Sequence, residues 1–139
     1  MVNQTLLSGR TPARGLPLVL VNRVQMQQVF LNLILNAEQA IREARDRGTL
    51  RIRLGTSGDS VWASFQDDGP GIPADVVGSI FDPFYTTKRP GRGTGLGLSI
   101  CKAVMKEHNG TIEAANAPGG GAVFTVTLKA AGAASSAAN

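Results

Sequence analysis

The chain is poor in the residues that build most metal and disulfide chemistry, with one cysteine and one histidine in 139 residues. A lone cysteine excludes an internal disulfide framework and agrees with a reducing compartment. Set among Ile100, Ala103 and Val104 in a helical pattern, Cys101 reads as a buried structural thiol rather than a reactive one. A lone histidine, His108, excludes any site that needs two. Aromatic residues are scarce at 5%, which leaves few platforms for stacking bases. No apolar run reaches the roughly 20 residues that span a bilayer. The opening MVNQTLLSGR has neither the basic nor the apolar region of a secretory signal. The expectation is a soluble, cytoplasmic domain without direct membrane contact.

What is present is ordinary for a single globular domain: 42% hydrophobic and 17% charged residues. The net charge of +4 concentrates at Arg42, Arg45, Arg47, Arg51 and Arg53, but Glu43 and Asp46 interrupt that cluster. It reads as a solvated helix end running into a strand, and no nucleic-acid partner is expected.

Hydrophobic periodicity divides the chain into a short N-terminal strand (2–7) and loop within 1–15, an ordered domain over 16–129, and an Ala/Ser-rich tail over 130–139 expected to be disordered. Within the domain, 16–21 reads as a strand. Asn22 is a favoured N-cap for a helix whose apolar face carries Val24, Met26, Phe30, Leu33, Ile34, Ala37, Ala40, Ile41 and Ala44, with Gly48 as its stop. Strands follow at 50–54 and 61–66, joined across Ser57-Gly58-Asp59 as a hairpin. A short helix is expected at 74–80, a mobile loop at 85–95, and a second long helix at 96–108 ending on Asn109-Gly110. Strands at 111–115 and 122–129 close the chain. This order predicts an α+β fold, a two-layer sandwich of one mixed, mostly antiparallel sheet with helices on one face.

Four segments carry chemistry. The first is Asn32 and Asn36, one turn apart on a single helix face. Gln25, Gln28, Gln39 and Glu43 share that stripe, so two readings stay open: the polar side of an amphipathic helix, or an Asn36 carbonyl that ligates Mg²⁺. The second is Asp67-Asp68-Gly69-Pro70-Gly71-Ile72-Pro73, a carboxylate at a strand end followed by a permissive turn. Two readings stay open here as well: an ordinary Asp-Gly loop, or a carboxylate that can accept a hydrogen bond from the exocyclic amine of adenine. Guanine presents an oxygen there, and the mismatch costs roughly 1–3 kcal/mol. Third, Phe81 and Phe84 flank Asp82-Pro83, either as apolar anchors for the loop that follows or as plain core packing. Fourth, Gly91-Arg92-Gly93-Thr94-Gly95-Leu96-Gly97-Leu98 opens directly into a helix. It is not a Walker A loop, since no Lys-Ser/Thr pair follows, and no strand leads into it as a Rossmann loop requires. Backbone N–H groups at a helix start bind anions, with Lys88 and Arg92 alongside.

Taken together, these segments resemble the catalytic ATP-binding domain of bacterial sensor histidine kinases, in the superfamily that includes DNA gyrase, a heat-shock chaperone and the MutL mismatch-repair ATPase. Asn32 to Ala37 is similar to the family's N box, Asp67 to Pro73 to its G1 box, Phe81 to Phe84 to its F box, and Gly93 to Leu98 to its G2 box. Gly119-Gly120-Gly121 with Phe124 resembles a further glycine element. The wording around Gln28 to Leu31 and Ala37 to Ala40 is nearest to the nitrogen-regulation and oxygen-sensor kinases. The resemblance implies a Bergerat ATP-binding sandwich and a protein-histidine kinase that uses ATP and Mg²⁺. Asp67 would contact adenine, Asn36 would hold the metal, and Asn32, Asn36 and Lys88 would serve the chemistry. Gly69, Gly71, Ile72, Phe84, Arg92, Gly93, Thr94, Gly95, Leu96, Gly97 and Leu98 would complete the nucleotide site. Hydrolytic relatives carry a water-activating glutamate where this chain has Asn32, which favours phosphotransfer. Many histidine kinases have lysine and tyrosine where this chain has Gln39 and Ala40, which shifts phosphate contact toward Lys88 or Arg92. The phosphoacceptor histidine would sit on a dimerisation domain of the same parent protein, with a response regulator downstream. His108 is expected to be structural and the isolated domain a monomer. An ATPase or anti-sigma-like serine kinase of the superfamily, or a nucleotide-sensing module without turnover, are the alternatives.

Overall fold

The computed structural model describes residues 19–44, 47–82 and 97–130. Helix α1 (Arg23–Ala44) is followed by strands β1 (Leu50–Ser57) and β2 (Ser60–Asp67), helix α2 (Gly97–Glu107), and strands β3 (Thr111–Asn116) and β4 (Ala122–Lys129). The strands form one sheet in the order β1-β2-β4-β3, and every pairing is antiparallel. Both helices cover the same face, giving the expected two-layer sandwich.

Local chemistry sets the ends of the elements. Asn22 caps α1: its Oδ1 accepts from the Gln25 N–H at 2.9 Å, and its carbonyl accepts the first helical bond from Met26. Helix α2 ends in a Schellman arrangement. Asn109 adopts φ 58°, the Gly110 N–H returns to the Met105 carbonyl and the Asn109 N–H to that of Lys106. Gly58, at φ 60°, turns the β1–β2 hairpin, with Ser57 opposite Ser60.

The core lies between Met26, Val29, Leu33 and Ala37 of α1, Cys101, Val104 and Met105 of α2, and the inward positions of the sheet. Alternation along β2 buries Ala63, Phe65 and Asp67, and along β4 Ala122, Phe124 and Val126. Phe65 sits opposite Phe124 in the ladder and packs on Phe30 of α1 at 5.3 Å between ring centroids. Asp67 therefore occupies a core-facing position, which is why a carboxylate ends up buried.

Several expectations need correction. Residues 19–22 form no strand, and Leu20 is 86% exposed; Asn22 is engaged instead in capping α1 and in the bond to the His108 ring. Val24 is 73% exposed and Ala44 is exposed, since the buried stripe runs through Met26, Val29, Leu33, Ala37 and Ile41 instead. The segment 74–80 is a string of turns whose bonds, from Val76 to Pro73, Ser79 to Val76 and Asp82 to Ser79, span three residues rather than four. A segment this short, holding Gly78 and two valines, does not recover the cost of nucleating an α-helix. Ala130 belongs to the fold: it is buried and its N–H donates to the Asp59 carbonyl. The strand expected at 2–7, the loop at 85–95 and the tail beyond 130 lie outside the described residues.

Candidate functional site

The stripe of α1 that carries the two asparagines spans the gap between the start of α2 and the turn after β2. At one end, Asn32 Nδ2 donates to the Gly97 carbonyl at 3.4 Å, and one turn into α2 the Cys101 thiol donates to the Val29 carbonyl of α1 at 3.7 Å. At the other end, two helical turns on, the Ala40 carbonyl lies against Gly69, where an added Cβ would come within 3.2 Å of it. Asn36 stands between them, half-buried and engaged with its surroundings. With a rise of 1.5 Å per residue, Asn32 and Ala40 are about 12 Å apart along the axis.

The turn after β2 is held in several places. Asp67 is 3% exposed, and its Oδ1 accepts from the N–H groups of Gly69 (2.8 Å) and Ala122 (3.2 Å). Burial raises its pKa above the ordinary 3.8, opposed by those two backbone donors and assisted by neighbouring Asp68. Asp68 accepts from the Thr49 N–H at 3.0 Å and ties the turn to the start of β1. Gly121, at φ 86°, passes so close to the Asp67 carbonyl oxygen that a side chain would overlap it. Asn116, at the end of β3, grips Ile72 with both ends of its amide.

Of the residues expected at the site, the structure brings Asp67, Gly69, Gly71 and Ile72 together in one turn, and sets Gly97 and Leu98 in the first turn of α2 beside Asn32. Phe84, Lys88, Arg92, Gly93, Thr94, Gly95 and Leu96 lie outside the described residues. The Phe81 ring packs on the core: it meets Phe124 edge-on at 6.2 Å, with Lys102 Nζ 5.7 Å from its centroid, while the loop it was expected to anchor lies outside the described residues. Asn116 is marked by no local sequence pattern, and Asp68 figures in the sequence only within the segment that opens on Asp67, without a role of its own, because their partners lie 44 and 19 residues away.

The remaining singular residues are structural. His108 Nε2 accepts from the Asn22 N–H at 3.0 Å, which leaves Nδ1 to donate to the Val104 carbonyl at 2.8 Å. Both ring nitrogens are thus used in stapling the end of α2 to the start of α1. The Cys101 thiol is fully buried, and burial pushes its pKa up to about 11. Among the described residues no helix is long and apolar enough to cross a membrane.

Residues 21–132 match the family model described as "Histidine kinase-, DNA gyrase B-, and HSP90-like ATPase". The chain belongs to that family. Within it, the chain is similar to the C4-dicarboxylate transport sensor protein DctS of Rhodobacter capsulatus, 40% identical over 125 residues that cover 89% of this chain and 18% of that protein. It is also similar to the sensory histidine kinase/phosphatase NtrB of the same species, at 39% identity over 84% of this chain and 35% of NtrB. Among solved structures, the nucleotide-free catalytic domain of the histidine kinase ThkA superimposes with a TM-score of 0.70 at 35% identity, covering 81% of this chain and 71% of that one. The mycobacterial sensor histidine kinase MprB gives a TM-score of 0.73 at 25% identity, covering 81% and 76%. This ATPase-family domain is thus the catalytic ATP-binding domain of the sensor histidine kinase type, in the Bergerat fold, and it spans only a small part of the curated relatives it matches.

Proposed function

We propose that this domain binds ATP together with Mg²⁺ and donates the γ-phosphate to a histidine on a dimerisation domain outside this chain. A response regulator would then take the phosphate from that histidine. Asn32 carries the choice of transfer over hydrolysis. Its amide cannot accept a proton at neutral pH and so cannot activate water, while a histidine imidazole needs no such help to attack.

In this reading the Asp67 carboxylate accepts from the adenine amine, beside Gly69, Gly71 and Ile72. The phosphates would lie at the first turn of α2, beside the N–H groups around Gly97 and Leu98. Gly93 to Leu96 would contribute further N–H groups, Lys88 and Arg92 would add positive charge, and Phe84 would serve with Phe81 as an apolar anchor. Asn36 stands half-buried between the base and phosphate ends, and its amide offers a hard neutral oxygen. That suits Mg²⁺, which takes one or two protein oxygens and completes its shell with phosphates and water. The bound ion would neutralise developing charge, and the protein's own part is to position the nucleotide.

The test uses the full 139-residue chain with γ-labelled ATP, alone and with a histidine-bearing dimerisation domain added in trans. The expected result is bound ATP, no acid-labile label on the chain itself, and label on the added domain. Phosphate release without an acceptor, label on serine, or no transfer to any acceptor would each replace the proposal with the corresponding alternative.

A further inference from the structure

Ile72 lies in the turn after β2 and belongs to no strand, yet both of its backbone groups are paired as though it did. Asn116 Oδ1 accepts from the Ile72 N–H at 2.6 Å, and Asn116 Nδ2 donates to the Ile72 carbonyl at 2.7 Å. A primary amide carries the same acceptor and donor as a peptide group, so one side chain reproduces one rung of an antiparallel ladder. Packing supports the same contact. Gly71, at φ 87°, leaves room for Asn116 Oδ1, which would lie 2.8 Å from any Cβ placed there.

The clamp completes a set of ties between the β3–β4 connection and the two ends of the turn. Ala122 N–H holds the Asp67 carboxylate, Gly121 backs the Asp67 carbonyl, and Asn116 holds Ile72 five residues later. Asn116 itself is exposed, so it adds little to the core.

We infer that Asn116 is a positioning residue of the nucleotide site: its side-chain amide fixes the Ile72 backbone and thereby the spacing between Ile72 and the Asp67 carboxylate that recognises the base. This rests on the proposal that Asp67 binds adenine. Without the clamp, the Gly71–Ile72 backbone is free to rotate away from the base, and the ordering entropy falls on the binding step.

The test measures ATP and GTP affinity and melting temperature of the full chain for Asn116→Ala, Asp67→Asn and the double variant. Asn116→Ala should weaken ATP binding about tenfold, as expected for two lost backbone contacts. GTP affinity and melting temperature should change little, so discrimination between the nucleotides shrinks. Because both residues act on one contact, the double variant should lose little more than Asp67→Asn alone. Asn116→Asp adds a chemical rescue. Its carboxylate opposes the Ile72 carbonyl, and its protonated form donates again, so ATP affinity relative to wild type should recover on acidification. Unchanged ATP affinity in Asn116→Ala overturns the inference whatever Asp67→Asn does. Equal losses for ATP and GTP, or a loss that tracks a lowered melting temperature, overturn it as well. Unchanged affinity in Asp67→Asn alone overturns the adenine reading instead.

Discussion

Asp67 sits where the inward alternation of β2 runs out, and it holds its own turn together through Oδ1. Replacing it by asparagine keeps an acceptor for the Gly69 and Ala122 N–H groups but turns an NH₂ donor toward the adenine amine. Flipping the amide only moves the clash onto the backbone donors. Asp67→Asn should therefore fold and lose roughly 1–3 kcal/mol of ATP binding, which calorimetry reads directly. The same substitution changes pH dependence. Because the folded-state pKa is raised, the folded chain binds more protons than the unfolded chain between the ordinary value of 3.8 and the raised value. Stability thus falls as pH climbs through that window. Asp67→Asn should remove that slope, which denaturant titrations at a series of pH values will show. At Asn36 the expectation concerns the metal. Asn36→Ala should abolish the dependence of ATP affinity on Mg²⁺ concentration while leaving Mg²⁺-free binding nearly intact.

Among the elements, the β3–β4 connection has a structural duty beyond closing a hairpin. Gly121 combines a positive φ with backbone contact to Asp67, so Gly121→Ala meets both strain and overlap. It should cost at least about 2 kcal/mol, lowering the melting temperature by roughly 10 °C. What was legible at this scale was whatever local chemistry specifies: the Asn22 cap, both long helices, both hairpins and the stop at Asn109-Gly110. The failures share one origin. The strand expected over 16–21 shows no pairing in its described part, and the helix expected at 74–80 was too short to stand without tertiary support. Val24 continues the apolar rhythm of α1 past the point where the sheet lies beneath it. Periodicity records what a segment is able to bury, and only the assembled layers decide what it does bury.

At the scale of the whole molecule, the site is a meeting of four separate parts of the chain: the middle of α1, the turn after β2, the start of α2 and the end of β3. Residue types with evident chemistry, such as Asp67 and the glycines around it, were legible because their spacing is local. Asn116 gripping Ile72 and His108 stapling Asn22 were not, because their partners lie 44 and 86 residues away. The buried thiol shared by these layers has a practical consequence. Cys101, the chain's only cysteine, lies at the α1–α2 seam with no accessible surface and its pKa near 11. A thiol reagent can then reach it only when the domain opens, so the labelling rate in mild denaturant is a clock for opening. ATP should slow that clock by the factor 1 + [ATP]/Kd, about a hundredfold at 100 times the dissociation constant. The native chain thus carries its own single-site reporter of nucleotide affinity, one that needs neither a phosphate acceptor nor an attached dye.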